Sequence, residues 1–343
     1  MIKILVVGSF KYQIYSKALF NAFKNIGQNV QSYDLDKFDY IGNNTIFNLF
    51  ERFQKRFVIG PKIKKINNNL LDIIVNEEIN LVFLYRAIEI KAATVRKIKN
   101  LNCTIFSYNN DDPFSGVPSK AYWNNYIQST NFCNHNFVYR NKNLIDFKKR
   151  GVKNLSILRS YYIKKNNYPL NIKKTMDVIF IGHFENDGRD EYIKALIETG
   201  INVTVFGGAL WKKAPLYEEI KHVIKEKQTG KKYNSTINRA KIALVFLSKI
   251  NSDTYTRRCF EIPATKTLML SEYSEDLNDM FEDNKEAVYF TTKQDLINKC
   301  KQLLDNPSKI KAIGNAGYKR LLKDNHNVES RAKEILKIYS KKK

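Results

Sequence analysis

Short apolar runs closed by glycine recur along the chain, each followed by a segment with apolar residues at helical spacing. The first, IKILVVG (Ile2–Gly8), reads as a strand buried on both faces. Gln13–Ile26 has helical spacing and Gly27 ends it. NVQSYDL reads as the second strand. After a variable helical region come a helix over Lys62–Glu78, a strand over Asn80–Tyr85, a helix over Lys91–Asn100 and a strand over Cys103–Asn110. NFVYR, a helix over Asn143–Arg150 and the strand NLSILRS complete the first half. Such alternation predicts a doubly wound parallel sheet.

Residues 161–175 (YYIKKNNYPLNIKKT) break the pattern and read as a polar, basic linker. The alternation then restarts. MDVIFIG (Met176–Gly182) echoes the first run, and a helix over Asp190–Thr199 stops at Gly200. The strand INVTVFGG, a helix over Tyr217–Lys227 and a strand within Arg239–Leu247 follow. Beyond these come a helix near Glu275–Phe281, the strand AVYFT, and helices over Lys293–Asp305, Pro307–Lys323 and Glu329–Ser340, ending in KKK. The predicted class is α/β, with two Rossmann-like doubly wound domains (1–160 and 176–325) facing across a cleft, and a C-terminal segment (326–343) packing back on the first.

Length fits this reading, since 343 residues suffice for two domains. The net charge of +24 calls for an anionic partner or reflects compositional drift in a chain rich in Lys, Asn and Ile. Drift explains most of it. The lysines are dispersed, and no arginine-rich arm or zinc-finger spacing is present, so no nucleic-acid partner is expected. KIKKINNN, beginning at Lys62, is the stretch suited to a membrane surface. No run approaches the roughly 18 apolar residues of a span, and the first residues lack a signal-peptide cleavage pattern. Cys103, Cys133, Cys259 and Cys300 form no CxxC pair, so neither zinc nor a disulfide framework is indicated. The expected location is the cytoplasm, with peripheral contact at the inner membrane face.

Parallel sheets bind ligands beyond the carboxyl ends of their strands. That directs attention to Gly8-Ser9-Phe10, NNDDPFSG (109–116), GHFENDGR (182–189), FGGALW (206–211) and SKINSDTYTRR (248–258). In GHFENDGR, Gly182 permits close backbone approach, His183 is placed for a sugar or phosphate, and Arg189 for a phosphate. The stretch is neither GxGxxG nor a Walker loop, and on its own a plain strand-to-helix turn is the stronger reading. SDTYTRRCFE carries more. Ser252 or Asp253 can cap a helix whose first N–H groups, dipole and Arg257 or Arg258 face an anion. Asp253 and Glu261 stand eight residues apart, which a continuous helix sets about 80° and 12 Å apart. The plainer alternative is a surface pair of Arg258 with Glu261. Against it, Glu261 lies inside CFEIPA just before the apolar TLMLSEY, where a lone carboxylate is costly. DLD at Asp34–Asp36 matches a metal motif by chance, and no metal is expected.

RCFEIPA, TLMLSEYSEDLNDMFEDNKEAVYF, the stretch from LINKCKQLLDNP to the last helix, and DVIFIGHFENDGR together resemble GT-B glycosyltransferases of the "glycosyl transferases group 1" type, within the spore-maturation CgeB-like branch. YNNDDPFS and NFVYRNKNLIDFKKRGVKNLSIL carry the resemblance into the first half. It implies a sugar-nucleotide donor in the second domain, with Glu261 on the ribose hydroxyls and Asp253 near the sugar, where relatives often carry glutamate. The implied donor site further includes Gly182, His183, Arg189, Gly207, Gly208, Tyr233, Tyr255, Thr256, Arg257 and Arg258. The base is read by the loop around Gly230–Tyr233, and Tyr168 sits in the hinge. Lys266 departs from the family's usual glycine. Asp111 or Asp112 would accept the acceptor's proton, although Asp-Asp-Pro is also a good turn. Gly8 and Phe10 would lie on the acceptor side. The implied activity is metal-independent and needs no cofactor. It transfers sugar from a nucleotide diphosphate to a hydroxyl of a glycan or lipid-linked polysaccharide. Its rivals are a sugar-nucleotide epimerase of the same shape and a non-catalytic basic module holding nucleic acid or an anionic polymer.

Overall fold

The computed structural model describes residues 2–40, 42 and 44–341. The chain forms two compact units, Met1–Arg159 with Val328–Lys343, and Ser160–Asn327. In the first, β1 (Lys3–Gly8), α1 (Ser16–Asn25), β2 (Asn29–Asp34), α2 (Thr45–Phe57), α3 (Pro61–Asn76), β3 (Leu81–Tyr85) and α4 (Ala92–Lys99) follow in order. Then come β4 (Thr104–Asn109), α5 (Lys120–Thr130), β5 (His135–Val138), α6 (Asn141–Lys149) and β6 (Leu155–Ile157). The six strands are parallel in the order β2-β1-β3-β4-β5-β6. β1 and β3 sit inside the sheet, so their apolar runs are buried on both faces. Ile63, Ile66 and Leu70 of α3 and Val95 and Ile98 of α4 share a core with Leu5, Val7, Val82 and Leu84. The stretch beginning at Lys62 thus turns Ile63 and Ile66 inward and leaves Lys64 and Lys65 exposed on its outer side.

The second unit contains β7 (Met176–Ile181), α7 (Arg189–Glu198), β8 (Val203–Phe206), α8 (Tyr217–Ile220), β9 (Ile224–Lys225), α9 (Gly230–Arg239) and β10 (Ala240–Val245). It continues with α10 (Arg258–Glu261), β11 (Leu268–Glu272), α11 (Glu275–Met280), β12 (Val288–Phe290), α12 (Lys293–Leu304) and α13 (Pro307–Lys323). Its parallel strands run β12-β11-β10-β7-β8-β9, the Rossmann order, with the switch point between β7 and β10. α14 (Val328–Ser340) belongs to the first unit. Asn25 of α1 donates to Glu329 at 3.4 Å, and Tyr339 meets Phe106 edge-on. The final Lys342 and Lys343 of the KKK ending lie outside the described residues. Among the described residues, no helix is long and apolar enough to cross a membrane. All four cysteines are free and buried.

Several expectations are corrected. Residues 161–175 are packed chain of the second unit, not a linker. Tyr161 and Tyr162 are buried, and Tyr168, read as a hinge residue, is tied to α9. Its N–H donates to Asn234 at 3.2 Å, and its carbonyl accepts from Asn234 and Asn238 at 3.1 Å each. The helix expected over 217–227 is one α-turn and a 3-10 turn before β9. The segment 230–233 is the first turn of α9 and not a loop. No helix runs from Asp253 to Glu261. Ser252 is left-handed (φ +52°), and α10 begins only at Arg258. Lys266, at φ +60°, holds a left-handed turn, a backbone conformation that glycine adopts most readily.

Candidate functional site

The β7 end is crowded. The Gly182 carbonyl accepts from the Trp211 indole at 2.9 Å. A Cβ on Gly182 would lie 2.7 Å from the tip of Phe180 and 2.8 Å from Arg258 Nη2. The Arg258 guanidinium therefore stands over the strand end, 5.8 Å from the Phe180 ring centre. Gly207 and Gly208 close β8 and lead into the turn that seats Trp211 in the core.

Arg189 is otherwise employed. Its side chain is 4% exposed, and its Nε and Nη2 grip the Asp187 carboxylate at 2.8 and 2.5 Å. Nη1 donates to the His183 carbonyl at 2.7 Å. Its donors already serve the loop, so Arg189 shapes the turn instead of presenting a charge to a phosphate. His183, on the exposed side, contacts Glu185 at 3.1 Å. Glu185 in turn accepts from Ser248 at 2.6 Å, and Lys249 donates to the Asp187 carbonyl at 2.7 Å. These two bonds tie the loops after β7 and β10 together at the switch point. Burial works to raise the Glu185 carboxyl, but hydrogen bonds from His183 and Ser248 and the charge of Arg189 outweigh it and hold it at about 2.

Beside this bridge, at the carboxyl ends of β10, β11 and β12, lies a cavity of about 520 Å³ lined in part by Ser248, Lys249, Asp253, Glu272, Tyr273 and Thr291. The Asp253 N–H donates to the Ser248 carbonyl at 2.9 Å. Glu272 accepts from the Leu247 N–H at 2.5 Å, while burial pushes its carboxyl upward. Asp253 thus lines the cavity. Glu261 does not. Glu261 is 3% exposed; it accepts from the Tyr233 hydroxyl at 2.5 Å and pairs with Arg257 Nε at 2.7 Å. Burial, then the Glu261 charge, pushes the Tyr233 phenol well above its ordinary value. The alternative of a surface pair with Arg258 gives way to a buried pair with Arg257, one helical turn away. Tyr255 is buried edge-on to Phe260, and the Thr256 N–H reaches Cys259 Sγ at 3.4 Å.

In the first unit the two candidate bases separate. Asp112 is 1% exposed and accepts from Lys142 at 2.9 Å, Asn143 at 2.7 Å and the Phe114 N–H at 2.9 Å. It anchors its loop to α6 and is not open to a substrate proton. Asp111 keeps a side chain 25% exposed and pairs with Arg86 at 2.7 Å. Gly8 is required sterically: a Cβ would lie 2.4 Å from Ser16 Oγ and 2.7 Å from the Tyr85 carbonyl. The Phe10 N–H donates to Asp36 at 2.7 Å, as do Ser9 Oγ at 2.8 Å and the Lys11 N–H at 2.7 Å. The DLD carboxylates thus hold a loop. Among the described residues, no His, Cys, Asp and Glu group is placed to bind a metal.

Sequence reasoning passed over Glu185, Ser248, Lys249 and Glu272. Glu272 had a signal, an acid ending an otherwise apolar strand. The others sat inside stretches already singled out.

Residues 189–337 match the family model described as "Glycosyl transferase-like". No curated protein matches the chain. Among solved structures, sucrose-phosphate synthase from Thermosynechococcus elongatus is similar over 99% of both chains, with TM-score 0.71 at 12% identity. Anabaena HepE, crystallised with UDP and glucose, is similar over 99% of this chain and 100% of its own, with TM-score 0.70 at 10% identity. A putative UDP-N-acetylglucosamine 2-epimerase from Listeria monocytogenes gives 0.59 at 11% identity, over 98% of this chain and 95% of its own. The fold is GT-B, and the glycosyl transferase-like match falls on residues 189–337 of it.

Proposed function

We propose that the chain is a cytoplasmic glycosyltransferase of the CgeB-like branch. It would move a sugar from a nucleoside diphosphate donor to a hydroxyl of a glycan or lipid-linked glycan. One observation carries the reading: the family match falls mostly on the unit whose Rossmann order leaves a cavity, with Ser248, Lys249, Asp253 and Glu272 in its lining, at the carboxyl ends of β10, β11 and β12. Arg258 at the β7 end is the candidate cation for a diphosphate that gains charge as the glycosidic bond breaks. Glu261, with Tyr233 and Arg257 on its oxygens, is the candidate ribose carboxylate. With arginine meeting that charge, the transfer needs no metal. HepE was crystallised with UDP and glucose, which makes UDP-sugars the first donors to try.

The test is a thermal-shift panel of UDP, GDP, CDP, dTDP and ADP on wild type, Glu261→Gln and Arg258→Ala. A nucleotide at about a hundred times its Kd adds roughly 2.7 kcal/mol to stability, a visible rise in Tm. One nucleotide should stabilise wild type and do so less in both variants. No stabilisation by any nucleotide overturns the reading. Product analysis with the matching sugar nucleotide then separates transfer to an acceptor from epimerisation of the donor.

A further inference from the structure

Helix α2 is built inside out. At about 100° per residue, Ile46, Leu49, Phe50, Phe53 and Phe57 fall on one stripe. That stripe faces out: the five are 77%, 58%, 47%, 49% and 46% exposed. The helix's buried residue is Gln54, whose side-chain oxygen accepts the Lys62 N–H at 2.9 Å. On the same inner side Glu51 pairs with Lys62 at 3.3 Å, and Lys55 pairs with Glu89 at 2.6 Å. Polar bonds hold the helix to its unit while its apolar side meets solvent, the reverse of an ordinary surface helix. The patch extends through Phe47 and Ile59, 55% and 46% exposed. Patches of this kind mark a docking surface.

The charges say what docks. Arg52 and Arg56 are exposed along one edge of the stripe, and the Arg56 guanidinium lies 5.7 Å from the Phe57 ring centre. Glu51 is the helix's single acid, and it is half-buried and paired. An apolar stripe rich in phenylalanine with a cationic margin is the pattern of a helix lying in the plane of an anionic bilayer. A second copy of a chain carrying +24 would set like charges against each other across a two-fold axis. We infer that α2 is a membrane-docking helix, its phenylalanines at the headgroup boundary of an anionic leaflet and Arg52 and Arg56 among the phosphates. The inference does not rest on the glycosyl-transfer reading.

The test is co-sedimentation of the full chain with phosphatidylcholine vesicles with and without phosphatidylglycerol, at low and high salt, beside its mass in solution. Wild type should pellet with the anionic vesicles and be partly released by salt. Phe50→Ser with Phe53→Ser should lower the partition at least roughly tenfold. Arg52→Gln with Arg56→Gln should lower it roughly fivefold per charge, on anionic vesicles only. All these positions are exposed, so the melting temperature should hold. Wild type left in the supernatant with both vesicle types overturns the inference. So does a dimer that the phenylalanine variant splits while neither form binds vesicles.

Discussion

The loops after β1 and β7 begin alike, an apolar strand closed by a glycine that its neighbours crowd, and they are held in opposite ways. After β1, one carboxylate, Asp36, gathers three donors, two of them backbone N–H groups. After β7, the loop is held by charged side chains of its own and of the loop after β10, with Asp187 on Arg189, Glu185 on Ser248 and Lys249 on a carbonyl. The first clamp would release its donors to water if cut. The second contains a buried ion pair, which leaves an uncompensated charge if one partner goes. The same strand and turn can thus end in a corner gathered on one carboxylate or in a charged rim beside a cavity. The loop residues make that choice.

Arg189→Ala should break the contrast most severely. It strands the Asp187 side chain, 3% exposed, and should cost about 3–5 kcal/mol by denaturant midpoint. Next is Glu185→Gln. The carboxyl sits at about 2 in the fold against an ordinary 4.5, so the unfolded chain takes up the proton first as pH falls. Its contribution, on the order of 3 kcal/mol, is present above pH 4.5 and lost toward pH 2. Wild type and variant should therefore differ in Tm at neutral pH and converge across that window. Smallest and sharpest is the glycine pair. Gly8→Ala drives a Cβ against the Tyr85 carbonyl in the sheet and should cost about 2–3 kcal/mol. Gly182→Ala first meets the ends of the Phe180 and Arg258 side chains, not backbone, and should cost about 1 kcal/mol. Under the proposed function it also weakens nucleotide binding by displacing Arg258. Equal stability losses from the two would erase the distinction.

The strands were legible because a parallel strand buried on both faces leaves a continuous apolar run, as in Ile4–Val7 and Val178–Ile181. α9 was not. Its buried Asn234, Thr236 and Asn238 are polar, and two of them bond the 168–170 segment, so no hydrophobic period survives. Missing α9 also made 161–175 look like a free linker. β9, at two residues, is too short to leave a pattern. At the site, the burial of Glu261 could be read from CFEIPA. Its partner could not, because the irregular chain before Arg258 decides which arginine faces inward. Arg189 was misread because Gly188, at φ +89°, turns the chain so that Asp187 and Arg189 close on each other. α2 was read only as part of a variable helical region, and period alone does not say which way an apolar stripe faces.

The return of α14 to the first unit sets an order on synthesis. Val328, Ala332, Ile335 and Tyr339 are buried there, against α1 and its surroundings. A nascent chain that has emerged as far as Asn327 can complete its second unit while the first, made earlier, still lacks a helix. The unit synthesised first is finished last. A truncation just before Val328 would therefore harm the half of the molecule farthest from it in sequence.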